Sequence, residues 1–167
     1  MSVSTAPDHE TILVPSVGES GREQLRQECY NVRINVFHHE QGFSLDAEID
    51  ELRLIGPAAV APYRGKGYCL FPLLRRLDET AEHFLLRLLP SLQPIGTIRA
   101  SRASSGGAPY YKLSRLAVLK HFREHHFGSE LVLALHKWVT TDAQSRGEYS
   151  ATVICHSLIP VKAFYAK

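Results

Sequence analysis

A β-patterned run, a short polar loop and an amphipathic helix follow one another without a break in residues 110–138, YYKLSRLAVLKHFREHHFGSELVLALHKW. No other stretch restricts the fold so narrowly. Residues 111–119 read as a strand, and beyond Gly128 the apolar residues Leu131, Leu135, Trp138 and Val139 share one face of a helix. A strand that passes into a helix over so few residues brings the helix N-terminus beside its own C-terminal end. Unpaired backbone N–H groups collect there, and the helix dipole favours an anion among them. The loop is a candidate cradle for a phosphate or pyrophosphate.

The rest of the chain supplies partners for this unit. TILVPSV, residues 11–17, reads as a short strand that Pro15 confines to an edge or a bulge. Leu25, Cys29, Val32 and Val36 form a helical stripe beginning near Arg22, with Ser20 as N-cap and Gly42 as the stop. An acidic turn, SLDAEIDE, precedes a glycine- and proline-rich stretch, and residues 53–77 read as an inserted loop. Strands are expected at residues 83–89 and 95–101, in an antiparallel meander with 111–119. SATVIC, residues 150–155, has the composition of a buried strand, and residues 161–165 begin a last helix with Pro160 near its first turn. A helix-covered sheet with mixed connections is an α/β (α+β) fold, and 167 residues suffice for one domain with a single well-filled core.

Charge and cysteine content narrow the function classes. A net charge of +2, with both signs interspersed, gives no footprint for nucleic acid. No apolar run is long enough to span a bilayer, and MSVSTAPDHE lacks the basic start and apolar core of a signal peptide. Cys29, Cys69 and Cys155 are odd in number and far apart, which suits reduced thiols. A cytoplasmic protein without a membrane or nucleic-acid partner is expected.

Two further patterns stand beside the loop. Tyr30, Arg33, Val36, Phe37, Glu40, Gln41 and Gly42 spell Y-x-x-R-x-x-V-F-x-x-E-Q-G, followed by Glu48, Ile49 and Asp50. Phe164-Tyr165 lies near the end of the sequence. With Leu116-Ala117-Val118 running into Arg123, Glu124, His125, His126, Phe127 and Gly128, close to [Q/R]-x-x-G-x-[G/A], the chain resembles the GCN5-related N-acetyltransferase (GNAT) superfamily over roughly residues 10–167.

That resemblance implies a mixed, mostly antiparallel central sheet flanked by helices. It implies transfer of an acetyl group from acetyl-CoA to a primary amine of a small molecule by direct attack, with no metal. The amides of residues 123–129, Ser129 included, and the backbone of Leu116, Ala117 and Val118 would hold the cosubstrate. The Val118 N–H would polarise the thioester carbonyl, and Tyr165 would protonate the leaving thiolate. Ser114 stands where many relatives carry a glutamate base; Glu48, Asp50, Glu40 and a water relay remain open for that role. Arg33, facing Glu40 and the acidic turn, is expected to form an ion pair there rather than to bind substrate. His156 is expected to be a packed strand-end histidine.

Two departures from the family pattern carry expectations of their own. His126 replaces the first glycine of the loop, and its Cβ restricts positive φ. The family fold continues into a further strand pair where this sequence has two residues after Tyr165, so the sheet edge is expected to be completed by a second copy in a homodimer, or the sequence to be cut short. The competing class is a non-catalytic acyl-CoA-binding or partner-binding domain of the same fold.

Two other motifs lack context. PYRGKGY, residues 62–68, resembles a phosphate loop but has no strand before it, and Pro72 interrupts any helix after it. HFREH, residues 121–125, matches a zinc-peptidase pattern, which requires an α-helix and a third protein ligand.

Overall fold

The computed structural model describes residues 6–45, 80–104, 108–157 and 162–165, the side chains of Lys162 and Ala163 excepted. The inserted loop at 53–77, PYRGKGY, Glu48, Asp50, Cys69 and Pro160 lie outside the described residues.

Five strands form one sheet in sequence order: β1 (His9–Leu13), β2 (Glu82–Leu88), β3 (Pro94–Ala103), β4 (Tyr110–Val118) and β5 (Val153–Cys155). The first four pair antiparallel and β5 lies parallel to β4. The mixed, mostly antiparallel sheet is the one expected, with shifted bounds. β1 begins two residues earlier and ends before Pro15, whose missing N–H is therefore no cost to the ladder. β5 is only three residues long and half-exposed, with Ile154 at 37% exposure, so the buried strand expected at 150–155 is instead a short edge of the described sheet.

Helix α1 (Arg22–Arg33) covers one face and continues as a π-helical segment, Ile34–Glu40, which stops at Gly42 with φ +74°. Its N-cap is Gly21 at φ +82°, without a side-chain cap, rather than Ser20. Helix α2 (Phe127–Ser145) covers the other face, and a short helix α3 (Lys162–Tyr165) follows β5.

The two faces differ in chemistry. Phe127, Leu131, Leu135, Val139 and Ala143 repeat at intervals of four along α2, and they close on Phe84, Leu86, Ile98, Ala100 and Leu113 in a purely apolar layer. Strand alternation sends the intervening residues to α1, so His83, Thr97 and Arg99 are buried there with Arg22, Arg26 and Arg33 from the helix. The expected apolar stripe of α1 is thus real but narrow: Cys29, Val32 and Val36 are buried, flanked by buried arginines.

Edge strand β1 is fastened to α2 by polar groups. His9 Nδ1 donates to the Pro7 carbonyl and Nε2 to Glu130, each at 2.7 Å, while the Thr11 hydroxyl donates to the other Glu130 oxygen at 2.5 Å. Both atoms facing the imidazole are acceptors, so only the doubly protonated ring satisfies both. Burial opposes that charge, but the Pro7 carbonyl and the Glu130 carboxylate outweigh it and raise the His9 pKa above 6.5. The clamp therefore stabilises the fold fully below about pH 6.5 and is lost as pH rises through the raised value. Melting curves from about pH 6 to 9 should show the wild type losing its advantage over His9→Gln as pH rises; parallel profiles would rule the clamp out.

Candidate active site

β4 carries one extra residue opposite β3. Thr97 faces Ala117 and Arg99 faces Ser114, so two steps on β3 span three on β4, and Arg115 sits in the bulge at φ +57°. β5 accompanies β4 only from Tyr111 to Leu113. Beyond that point β3 is the strand beside β4 among the described residues, and a wedge opens between β4 and the end of β5. The Leu119 N–H donates to Ile95 of β3 at 2.9 Å. Alternation then turns the Val118 N–H and carbonyl toward the wedge.

The loop after β4 is a 3-10 turn, Lys120–His125, and His126 follows at φ 62°, ψ 15° as the N-cap of α2. The histidine thus takes the left-handed conformation that a glycine would adopt at less cost, about 1 kcal/mol less by the usual penalty for a Cβ there. The His126 carbonyl accepts from Ser129 (2.9 Å) and Glu130 (3.3 Å). Ser129 is therefore committed to the first turn, and the amides without an intrahelical acceptor are those of Phe127 and Gly128. The expected seven-residue cradle narrows to this pair, backed by the dipole of a 19-residue helix.

The neighbouring side chains have other tasks. Arg123 donates from Nε to the Val118 carbonyl at 2.9 Å, and from both terminal nitrogens to Glu40 at 2.6 and 2.7 Å. It is a strut tying the loop to the end of the π-helical segment. Hydrogen bonding to Arg123 holds the Glu40 carboxyl below its ordinary pKa, which suits a fixed anion better than a general base. Of the partners expected for Arg33, Glu40 goes to Arg123 instead and the acidic turn beyond residue 45 lies outside the described residues; the buried Arg33 guanidinium lies 4.6 Å over the Tyr30 ring. Glu40→Gln should lower Tm by about 1–2 °C and change kcat less than about threefold, in a melt and a turnover assay. A collapse of kcat would make Glu40 the base.

Tyr165 is half-buried beside Cys155, and burial first, then the Cys155 thiol, raises its pKa above 10. Its phenol stays protonated at neutral pH, as an acid must before transfer. Phe164 packs against the cradle: a Cβ built on Gly128 would meet Phe164 Cζ at 3.3 Å. Leu116 and Val118 turn their side chains into the α2-side core and Ala117 toward Val32 and Val36; the Val118 backbone faces the wedge, whereas that of Ala117 faces β3. Glu124 is exposed, His125 packs 5.5 Å from the Phe127 ring, and His156 is exposed just past β5 rather than packed. Ser114 accepts a hydrogen bond from Arg99 Nε at 3.0 Å on the α1 face. HFREH lies in the 3-10 turn, whose period of three sends residues i and i+4 in different directions.

Sequence reasoning missed the Arg99–Ser114 bond, the Phe164–Gly128 contact and the bulge at Arg115. The first two join different segments of the chain, and an arginine in a strand gives no signal for the third.

No protein-family model matches the sequence, and no curated protein matches it either. Solved structures do. A proposed N-acetyltransferase from Lactobacillus plantarum superimposes with a TM-score of 0.58 at 22% identity, over 95% of this chain and 82% of that one. A GCN5-related N-acetyltransferase from Ralstonia eutropha JMP134 gives 0.57 at 16% identity, over 95% and 89%. An aminoglycoside acetyltransferase from an uncultured soil metagenomic sample gives 0.55 at 10%, over 95% and 82%. With its mixed, mostly antiparallel sheet between α1 and α2, the chain has the fold of the GCN5-related N-acetyltransferases.

Proposed function

We propose that this protein is an acetyl-CoA-dependent N-acetyltransferase that transfers the acetyl group to a primary amine of a small molecule in the cytoplasm. The observation that carries this reading is the wedge itself. β4 continues past the end of β5 into a left-handed His126 and the N-terminus of α2, with the raised phenol of Tyr165 at the same opening. The Phe127 and Gly128 amides suit a diphosphate, because each offers a donor that the helix leaves unused. As the neutral amine bonds to the thioester carbon, polarised by the Val118 N–H, the C–S bond breaks and Tyr165 gives its proton to the departing sulfur. The proton shed by the new amide nitrogen passes through water to restore the phenol. The ground for a small amine as acceptor is the aminoglycoside acetyltransferase among the structural neighbours. The short open edge at β5 is the ground for a homodimer.

The test is thiol release from acetyl-CoA across an amine panel, run beside a thermal shift with acetyl-CoA alone. Amine-dependent release supports the enzyme. Stabilisation without release favours the second reading, a non-catalytic acyl-CoA-binding domain. A specific observation motivates that alternative: Ser114, held by Arg99, stands where a carboxylate base is usual, and Glu40 is tied to Arg123. No effect of acetyl-CoA in either assay would end both readings.

A further inference from the structure

We propose that the groove between α2 and β5 receives an aliphatic acyl tail, so that medium-chain acyl-CoAs bind more tightly than acetyl-CoA and serve as donors alongside it. The inference rests on the acyl-transfer reading of the same wedge and extends its donor class.

The groove measures about 840 Å³, well within the size range of small-molecule sites. It begins at Ser129 in the first turn of α2 and ends beside Gln144 in the last, a run of about 22 Å along the helix axis. Cys155 and Tyr165 line it, so it is continuous with the wedge where the thioester would lie. An acetyl group would leave most of it unfilled.

Its lining selects a neutral chain. Leu113, Val139 and Val153 supply an apolar floor, and α2 presents a second apolar strip to it through Val132 and Leu133. Leu133 stays 67% exposed on a helix whose opposite face already fills the core, so this strip is spare to folding. Glu148, the one carboxylate among the described lining residues, is paired with Arg102, and Ser129, His136, Thr140 and Gln144 are the polar side chains that α2 contributes. Along the apolar floor and strip, each methylene withdrawn from water tightens binding about fourfold.

Calorimetric titration with acetyl-, butyryl-, hexanoyl- and octanoyl-CoA tests this without knowledge of the acceptor. Kd should fall along the series, with octanoyl-CoA at least about tenfold tighter than acetyl-CoA. Leu133→Trp and Thr140→Trp, both at exposed positions on the groove wall, should shrink that ratio, and the ratio is the readout. A flat series with acetyl-CoA bound overturns the inference and leaves the acetyltransferase reading intact. A chain-length preference that neither tryptophan alters also overturns it. If no acyl-CoA binds, both readings fall. If sedimentation shows self-association that Leu133→Trp abolishes, with a flat series, a second copy occupies the groove and the inference is wrong.

Discussion

Tyr165→Phe should lower kcat for CoA release about a hundredfold, with KM for acetyl-CoA within about threefold of wild type. The phenol is the group at the wedge that can give a proton to a departing thiolate, and burial keeps it protonated across the neutral range. Phenylalanine retains the ring that packs against the α2-side core, so the fold should survive the change. The pH profile separates proton donation from packing. On the alkaline side wild-type activity should fall as the phenol ionises, above its ordinary value of 10, and the variant should lack that limb. An unchanged kcat would remove Tyr165 from the mechanism.

Gly128→Val should weaken acetyl-CoA binding by about ten- to a hundredfold, the usual consequence of forcing a branched side chain into a packed position. Two effects combine at this residue. The Phe164 ring lies 3.3 Å from where the first added carbon would go, so α3 must move and Tyr165 moves with it. The valine methyl groups would also crowd one of the two amides that α2 leaves unpaired. Titration of the variant checks the first-order effect. Gly128→Ala, which adds the Cβ alone, should fall between the two. Wild-type affinity in the valine variant would mean that the diphosphate is held elsewhere, and the cradle assignment would fail.

The elements most legible in the sequence were those whose own periodicity requires burial. The four-residue repeat along α2 and the apolar runs of β2, β3 and β4, bounded by proline, glycine or serine, appear within one or two residues of where the sequence puts them, because long apolar runs and stripes must be buried. The handover from β4 to α2 was legible for the same reason, and so was the conflict at His126, which does adopt positive φ. What periodicity could not reveal lies between segments. Arg123 and Glu40 are 83 residues apart, and neither residue type nor spacing announces that they pair. The arginines along α1 look in sequence like a solvated face, yet Arg22, Arg26 and Arg33 are buried against His83 and Arg99.

By itself the sequence determined the local architecture: a strand, a tight polar loop and a long amphipathic helix with an anion-seeking N-terminus, set in a mixed sheet. Backbone geometry and apolar spacing are local properties, and they are written in consecutive residues. Only the tertiary structure decided which amides stay open, which side chains become struts, and that Phe164 and Tyr165 close on Gly128 and Cys155 at the wedge. Those outcomes depend on which distant groups reach each other first-hand in space, and hydrogen-bond donors and acceptors are short-ranged enough that chain order does not reveal their partners.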